Sequence, residues 1–103
     1  MNTLTPSENN IITLLKECIS LFSSFKCVYL FGSVLIPGKI NNDIDILLIY
    51  EEYSDALLDS AETISNTLEQ QLGSYIDLTI LSEQEEIDTG FLLKLKNRYL
   101  KIK

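Results

Sequence analysis

Two aspartates, Asp43 and Asp45, stand two residues apart at the head of an apolar run, Ile46-Leu47-Leu48-Ile49. In an extended strand successive side chains alternate faces, so both carboxylates project from one face while Ile44 and Ile46 point into packing. A solvated strand rim gives the same pattern, and a third acid separates the two cases. Asp77 is the one charge within Tyr75 to Leu81, flanked by Ile76 and Leu78. A lone acid in an apolar strand is costly unless it is paired or metal-bound. If the two strands are neighbours, Asp77 joins Asp43 and Asp45 on one face. Two carboxylates about 4 Å apart repel by about 4 kcal/mol at an effective dielectric of about 20. These strands hold no lysine, arginine or histidine to offset that; a divalent cation would. Hard oxygen ligands select magnesium or manganese over zinc. A carboxylate triad binding two metals is the machinery of phosphoryl and nucleotidyl transfer.

The other half of such a site is Phe31-Gly32-Ser33. Glycine after a strand lets a backbone approach a ligand closely. The Ser33 hydroxyl and neighbouring amides can then hold phosphate oxygens, with a favourable dipole if a helical turn starts there. A Gly-Ser pair alone is most often just a turn, and its value here comes from the acidic strand that follows.

The elements that must position these residues are legible in the spacing. Thr5-Pro6-Ser7-Glu8 is a capping-box pattern with proline at the first helical position. Ile11, Ile12, Leu15, Cys18, Ile19 and Phe22 then recur at helical spacing, which predicts a helix over about 6–23. Cys27 to Phe31 reads as a buried strand. Residues 32–42, with Gly32, Pro37, Gly38, Asn41 and Asn42, form a loop or a short helical turn followed by a loop. Asp43 to Tyr50 is a second strand. Ser54 suits the N-cap of a helix whose apolar face is Leu57, Ala61, Ile64, Leu68 and Leu72, with Gly73 placed to end it. Tyr75 to Leu81 is a third strand. Glu83 to Glu86 suit a helix start, Phe91, Leu92 and Leu95 could continue that helix past Gly90, and Tyr99 to Lys103 could be a terminal strand. The order predicts an α/β (α+β) fold, a small mixed sheet of three or four strands packed with helices, in a single domain over 1–103.

Charge narrows the partners. The formal net charge is −7, and five of the eight basic residues are Lys94, Lys96, Arg98, Lys101 and Lys103. Residues 1–93 therefore carry three basic against fifteen acidic groups, a balance of −12. Phosphate backbones repel such a chain, so nucleic acid is not an expected partner. The terminal basic strip is either a solvated tail or a local phosphate- or partner-binding strip. The chain has no histidine, which excludes catalysis through an imidazole, including serine and cysteine hydrolase triads. No apolar run approaches a membrane span, and no secretory signal precedes Cys18 and Cys27, which points to buried reduced thiols in a cytoplasmic protein.

Leu30-Phe31-Gly32-Ser33, nine intervening residues, then Asp43-Ile44-Asp45-Ile46-Leu47-Leu48 resembles the Gly-Ser…Asp-x-Asp signature of the DNA polymerase beta-like nucleotidyltransferase superfamily. The chain is most similar to the minimal nucleotidyltransferases of that group, over roughly residues 27–81, with Asp77 in the place of a third carboxylate. The resemblance implies the nucleotidyltransferase palm fold. It implies Asp43, Asp45 and Asp77 as catalytic and metal-binding residues for Mg2+ (or Mn2+), with Gly32 and Ser33 holding the triphosphate of an NTP, taken to be ATP. The implied reaction moves an NMP, taken to be AMP, to an acceptor hydroxyl and releases pyrophosphate. Relatives often act as antitoxins paired with HEPN-domain toxins, and some add AMP to a tyrosine of the toxin, so a HEPN-type protein is the implied partner. A homo-oligomer is compatible with this.

The sequence departs from the family pattern after Gly32-Ser33. Many minimal members carry arginines there, where this chain has Val34-Leu35-Ile36. Lys39 is the candidate substitute for their phosphate contacts. An exposed Val34-Leu35-Ile36 stretch and the missing arginines leave an alternative function, a partner-binding antitoxin module that neutralises by docking with little or no catalysis.

Overall fold

The computed structural model describes residues 6–35 and 43–103, the side chains of 6–10 and of Ser33 excepted. Strands β1 (Cys27–Phe31), β2 (Asp43–Tyr50), β3 (Tyr75–Ser82) and β4 (Tyr99–Lys101) and helices α1 (Pro6–Glu17), α2 (Asp55–Leu72), α3 (Glu83–Thr89) and α4 (Phe91–Lys94) follow in the order α1-β1-β2-α2-β3-α3-α4-β4. They form one mixed sheet in the order β3-β2-β1-β4. β1 runs antiparallel to both β2 and β4, and β2 runs parallel to β3. A parallel pair needs a crossover, and α2 supplies it.

The period-2 pattern of the strands sorts their residues onto two faces. Val28, Leu30, Ile44, Ile46, Leu48 and Ile76 are all buried on one face, where they meet Leu15, Phe22, Leu57, Ile64 and Leu68 from the helical layer. β1 is therefore buried at alternate positions and not continuously, with Cys27, Tyr29 and Phe31 half-buried on the other face. That second face carries Leu47 and Ile49, both buried. α3 packs against β2 and β3 on this side, and Phe91 of α4 meets Phe31 edge-on, with ring centroids 5.4 Å apart.

The predicted helices hold with three revisions. The first ends at Glu17 instead of about residue 23. Cys18 leaves helical geometry (φ −92°, ψ 21°), and Ile19–Phe22 wind as a 3-10 turn that seats Phe22 fully in the core. Thr5, expected in the capping box, lies outside the described residues. α2 ends as expected, with Gly73 left-handed at φ 67° and its N–H donating to the Glu69 carbonyl, but the Ser54 side chain makes no cap bond. Third, the last helical segment is two, not one. Gly90 closes α3 at φ 62°, and α4 restarts at Phe91. A capping box starts α3: the Ser82 N–H donates to Glu85 Oε1 at 2.9 Å, and the Glu85 N–H donates to Ser82 Oγ at 3.0 Å.

The two cysteines are free and half-buried, not deeply buried. Among the described residues no helix is long and apolar enough to cross a membrane.

The basic strip divides. Lys94, Lys96, Arg98 and Lys101 are exposed, but Lys103 is half-buried. Its Nζ donates to the Phe22 carbonyl at 2.9 Å and the Phe25 carbonyl at 2.6 Å, closing the exit of the 3-10 turn. Both bonds are charge-assisted, the stronger kind, and the Phe22 carbonyl also accepts the Phe25 N–H at 2.9 Å. Lys103→Met keeps the stem and removes the donors, and we expect it to cost about 1–3 kcal/mol, read as a lower urea midpoint at an unchanged denaturant slope.

Candidate active site

The register brings the predicted carboxylates into one row. Phe31 pairs with Asp45 across β1–β2, and Asp45 pairs with Asp77 across β2–β3. Residues opposite one another in a ladder share a face, so Asp45 and Asp77 stand side by side. Asp43 follows two residues before Asp45 on the same face, opposite Tyr75. Asp43 and Asp77 are exposed and Asp45 is half-buried.

Gly32 meets this row directly. Its backbone takes φ +85°, where an L side chain is strained, and a Cβ built on it would overlap Oδ2 of Asp45 and lie 3.0 Å from its Cγ. The Asp45 carboxyl thus rests against bare backbone at the end of β1. Gly32 begins a 3-10 turn, Gly32–Leu35, anchored by Val34 at 2% exposure. The turn expected after Gly32-Ser33 is there, and four residues are too few for a helix dipole of consequence.

Electrostatics single out Asp45. Burial pushes its carboxyl above the usual carboxylate range, and the neighbouring Asp77 carboxyl, through its charge and a hydrogen bond, and the charge of Asp43 push the same way. Among the described residues the salt bridge is Lys26 to Glu83, far along the strands from this end, so no cation offsets the row. Among the described residues no group of three or more acidic, histidine or cysteine side chains is gathered closely enough to hold a metal ion by itself. That agrees with the donor set. Magnesium dehydrates reluctantly and is usually held by one or two carboxylates plus substrate phosphates, keeping several waters. An all-carboxylate row with an open side and mutual repulsion fits such an ion.

Of the remaining site residues expected from sequence, Lys39 and the Ser33 side chain lie outside the described residues, as do Ile36 and Asn42. Val34 does not form an exposed apolar stretch: it belongs to the core, with Leu35 packed against it. One support for a purely docking role is thereby removed. Two features had no clear mark in the sequence. Tyr75, 60% exposed, sits beside Asp43 at the rim. Glu69 of α2 accepts the Ile76 N–H at 3.1 Å and so caps the start of β3.

A sequence model of the family described as "Polymerase beta, Nucleotidyltransferase" matches residues 9–100. No curated protein sequence matches the chain. Among solved structures, the toxin–antitoxin MntA–HpeT, in a variant with two aspartates each changed to glutamate, is similar at TM-score 0.57 and 23% identity, over 93% of this chain and 72% of that one. A toxin–antitoxin complex with AMP-PNP is similar at TM-score 0.57 and 25% identity, over 93% and 72%. A complex of tri-AMPylated HEPN toxin with MNT antitoxin, from Shewanella oneidensis, is similar at TM-score 0.52 and 23% identity, over 94% and 69%. At these identities the likeness establishes the fold.

Two outcomes follow from the Gly32–Asp45 contact. Gly32→Ala should destabilise the chain by about 2 kcal/mol, from left-handed strain and overlap together. Adding Asp45→Ala should recover part of that loss, a positive coupling read in a double-mutant cycle of urea midpoints. Asp45→Asn bears on charge alone. A carboxyl raised in the folded state makes folding less favourable as pH climbs from the ordinary value of 3.8 through the raised one. The amide should therefore stabilise the cation-free chain at pH 7 by about 0.5 kcal/mol, the scale of a solvent-screened charge pair. Thermal melts should show that gain shrinking as pH falls towards 3.8.

Proposed function

Because the chain belongs to the polymerase beta nucleotidyltransferase family, we propose that it transfers AMP from ATP to a hydroxyl on a HEPN-type toxin and acts in the cytoplasm as that toxin's antitoxin. The observation that carries this is the Gly32–Asp45–Asp77 row: a carboxyl seated against the glycine backbone that opens the turn, and beside it a second carboxyl, the pair without an offsetting cation among the described residues. Similar structures support the finer points. One toxin–antitoxin complex holds AMP-PNP, another contains an AMPylated HEPN toxin, and the substituted aspartates of a third have the spacing of Asp43 and Asp45.

Asp43 and Asp45 would hold Mg2+ (or Mn2+). When bound, that cation supplies Lewis-acid neutralisation of the phosphate charge. Gly32, against which Asp45 rests, opens the turn that would hold the triphosphate, with Ser33 and Lys39 as further phosphate contacts. Asp77 orients the acceptor hydroxyl and receives its proton. The hydroxyl oxygen bonds to the α-phosphorus as the bond to the α,β-bridging oxygen breaks, and pyrophosphate leaves.

The test supplies α-labelled ATP, magnesium and the co-expressed HEPN-type toxin. Label should appear on the toxin, and Asp43→Ala or Asp45→Ala should each cut the rate by at least about 100-fold. In the same variants magnesium should no longer raise the melting temperature. Absence of transfer from all four NTPs would reject the proposal. Full neutralisation by a chain lacking all three aspartates would favour the docking module instead.

A further inference from the structure

The exposed edge of the sheet is built to receive a strand, and its position relative to the carboxylate row gives that strand a chemical role. β3 is an outer strand of eight residues, with β2 on one side only. In a parallel ladder the N–H and C=O of a given residue point to the same side, and that side alternates along the strand. The Ile76 N–H goes to Glu69 Oε2 and the Ser82 N–H to Glu85 Oε1, so the even-numbered residues of β3 face away from β2. Leu78 and Ile80 lie between those two caps. By that alternation their N–H groups also point away from β2, and among the described residues no acceptor outside the sheet receives them. An uncovered row of this kind is a template for another chain. Carboxylates blunt its two ends, and the open window is the part level with and just beyond Asp77.

We propose that this window binds an extended segment of the acceptor polypeptide, which adds as a strand beside β3 and places its hydroxyl side chain next to Asp77. The inference rests on the transferase reading above and names how the acceptor is held. Directly opposed residues of paired strands share a face, with Cβ atoms about 5 Å apart. A serine, threonine or tyrosine opposite Asp77 would extend the row of Gly32, Asp45 and Asp77 by one place. In-line transfer needs the leaving group and the nucleophile on opposite sides of the phosphorus. Phosphate at Gly32 therefore puts pyrophosphate on the β1 side and requires the acceptor on the β3 side. Tyr75, 60% exposed at the start of this edge, supplies an aromatic surface for the same segment. Glu69, Glu85 and Asp77 make the edge acidic, so the fitting segment is basic around its hydroxyl residue. Main-chain bonds give affinity in this mode of recognition, and side chains give selectivity.

The experiment follows amide hydrogen exchange in the full chain, alone and with the co-expressed HEPN-type toxin and AMP-PNP, alongside label transfer from ATP. The Leu78 and Ile80 amides should exchange freely in the chain alone and slow by about tenfold or more in the complex. Replacing the Leu78 or Ile80 N–H with an ester oxygen retains the side chain and removes the donor. It should raise KM for the toxin about 2- to 10-fold, one backbone hydrogen bond's worth, while the Kd for ATP stays unchanged. Label transfer without protection at these amides, or with unaltered KM in the ester variants, overturns the proposal. Protection that appears in the chain alone as its concentration rises assigns the edge to a second copy and also overturns it. Protection by the toxin without any label transfer supports the docking edge and rejects the transferase reading, so the two fail separately.

Discussion

The Asp45 carboxyl occupies the volume that a side chain on Gly32 would need, and this contact couples two stretches of chain whose chemistry is useless apart. A glycine-led turn after a strand is common, and so is a pair of acids on a strand. Here the end of β1 cannot carry a Cβ without displacing the carboxyl that stands over it. The turn and the acid are therefore one structural unit. The sheet exists in the order it does, with β2 between β1 and β3, so that Asp45 can touch Gly32 on one side and Asp77 on the other.

That unit is tolerable because the two sheet faces differ. The face under α1 and α2 is sealed by aliphatic and aromatic packing, with Leu30, Ile46 and Leu48 essentially without solvent contact. The burial of those neighbours fixes the register, since a slip of one residue would turn Asp45 inward and Ile44 or Ile46 outward. The opposite face is covered by the short α3 and α4 over Leu47, Ile49 and Phe31, leaving its Asp43 end open. Stability generated on one face thus holds a cluster on the other that repels itself.

Most of the fold was legible because it depended on short-range patterns. The bounds of β2, the helix ended by Gly73 and the third strand follow from alternation, helical period and glycine placement. The acidic row was legible for the same reason: Asp77 is conspicuous as a lone charge between Ile76 and Leu78. What eluded the sequence depends on tertiary contacts. The apolar stripe through Phe22 continues at helical spacing, yet the backbone leaves the helix at Cys18, because packing decides how Phe22 enters the core. Val34 looks exposed in a loop and is buried, since nothing local tells that its turn folds back onto the sheet. Cys18 and Cys27 have apolar neighbours in sequence but only partial cover in space. The Ser82–Glu85 capping box was within reach, for its S-x-x-E spacing is written in the chain. Glu69 was not, because its partner at Ile76 becomes a partner only once α2 and β3 are docked.

The staple at Lys103 has a kinetic meaning as well. Its bond to the Phe22 carbonyl joins residues 81 apart in sequence. β4 likewise closes onto β1 across most of the chain. Contacts of such separation carry a large loop-closure entropy before they return any stabilisation, and they slow folding. The β1–β2 and β2–β3 pairings, which make the carboxylate row, span far shorter loops. The acidic end of the sheet can therefore assemble during synthesis while the chain is still emerging, and the far edge closes last.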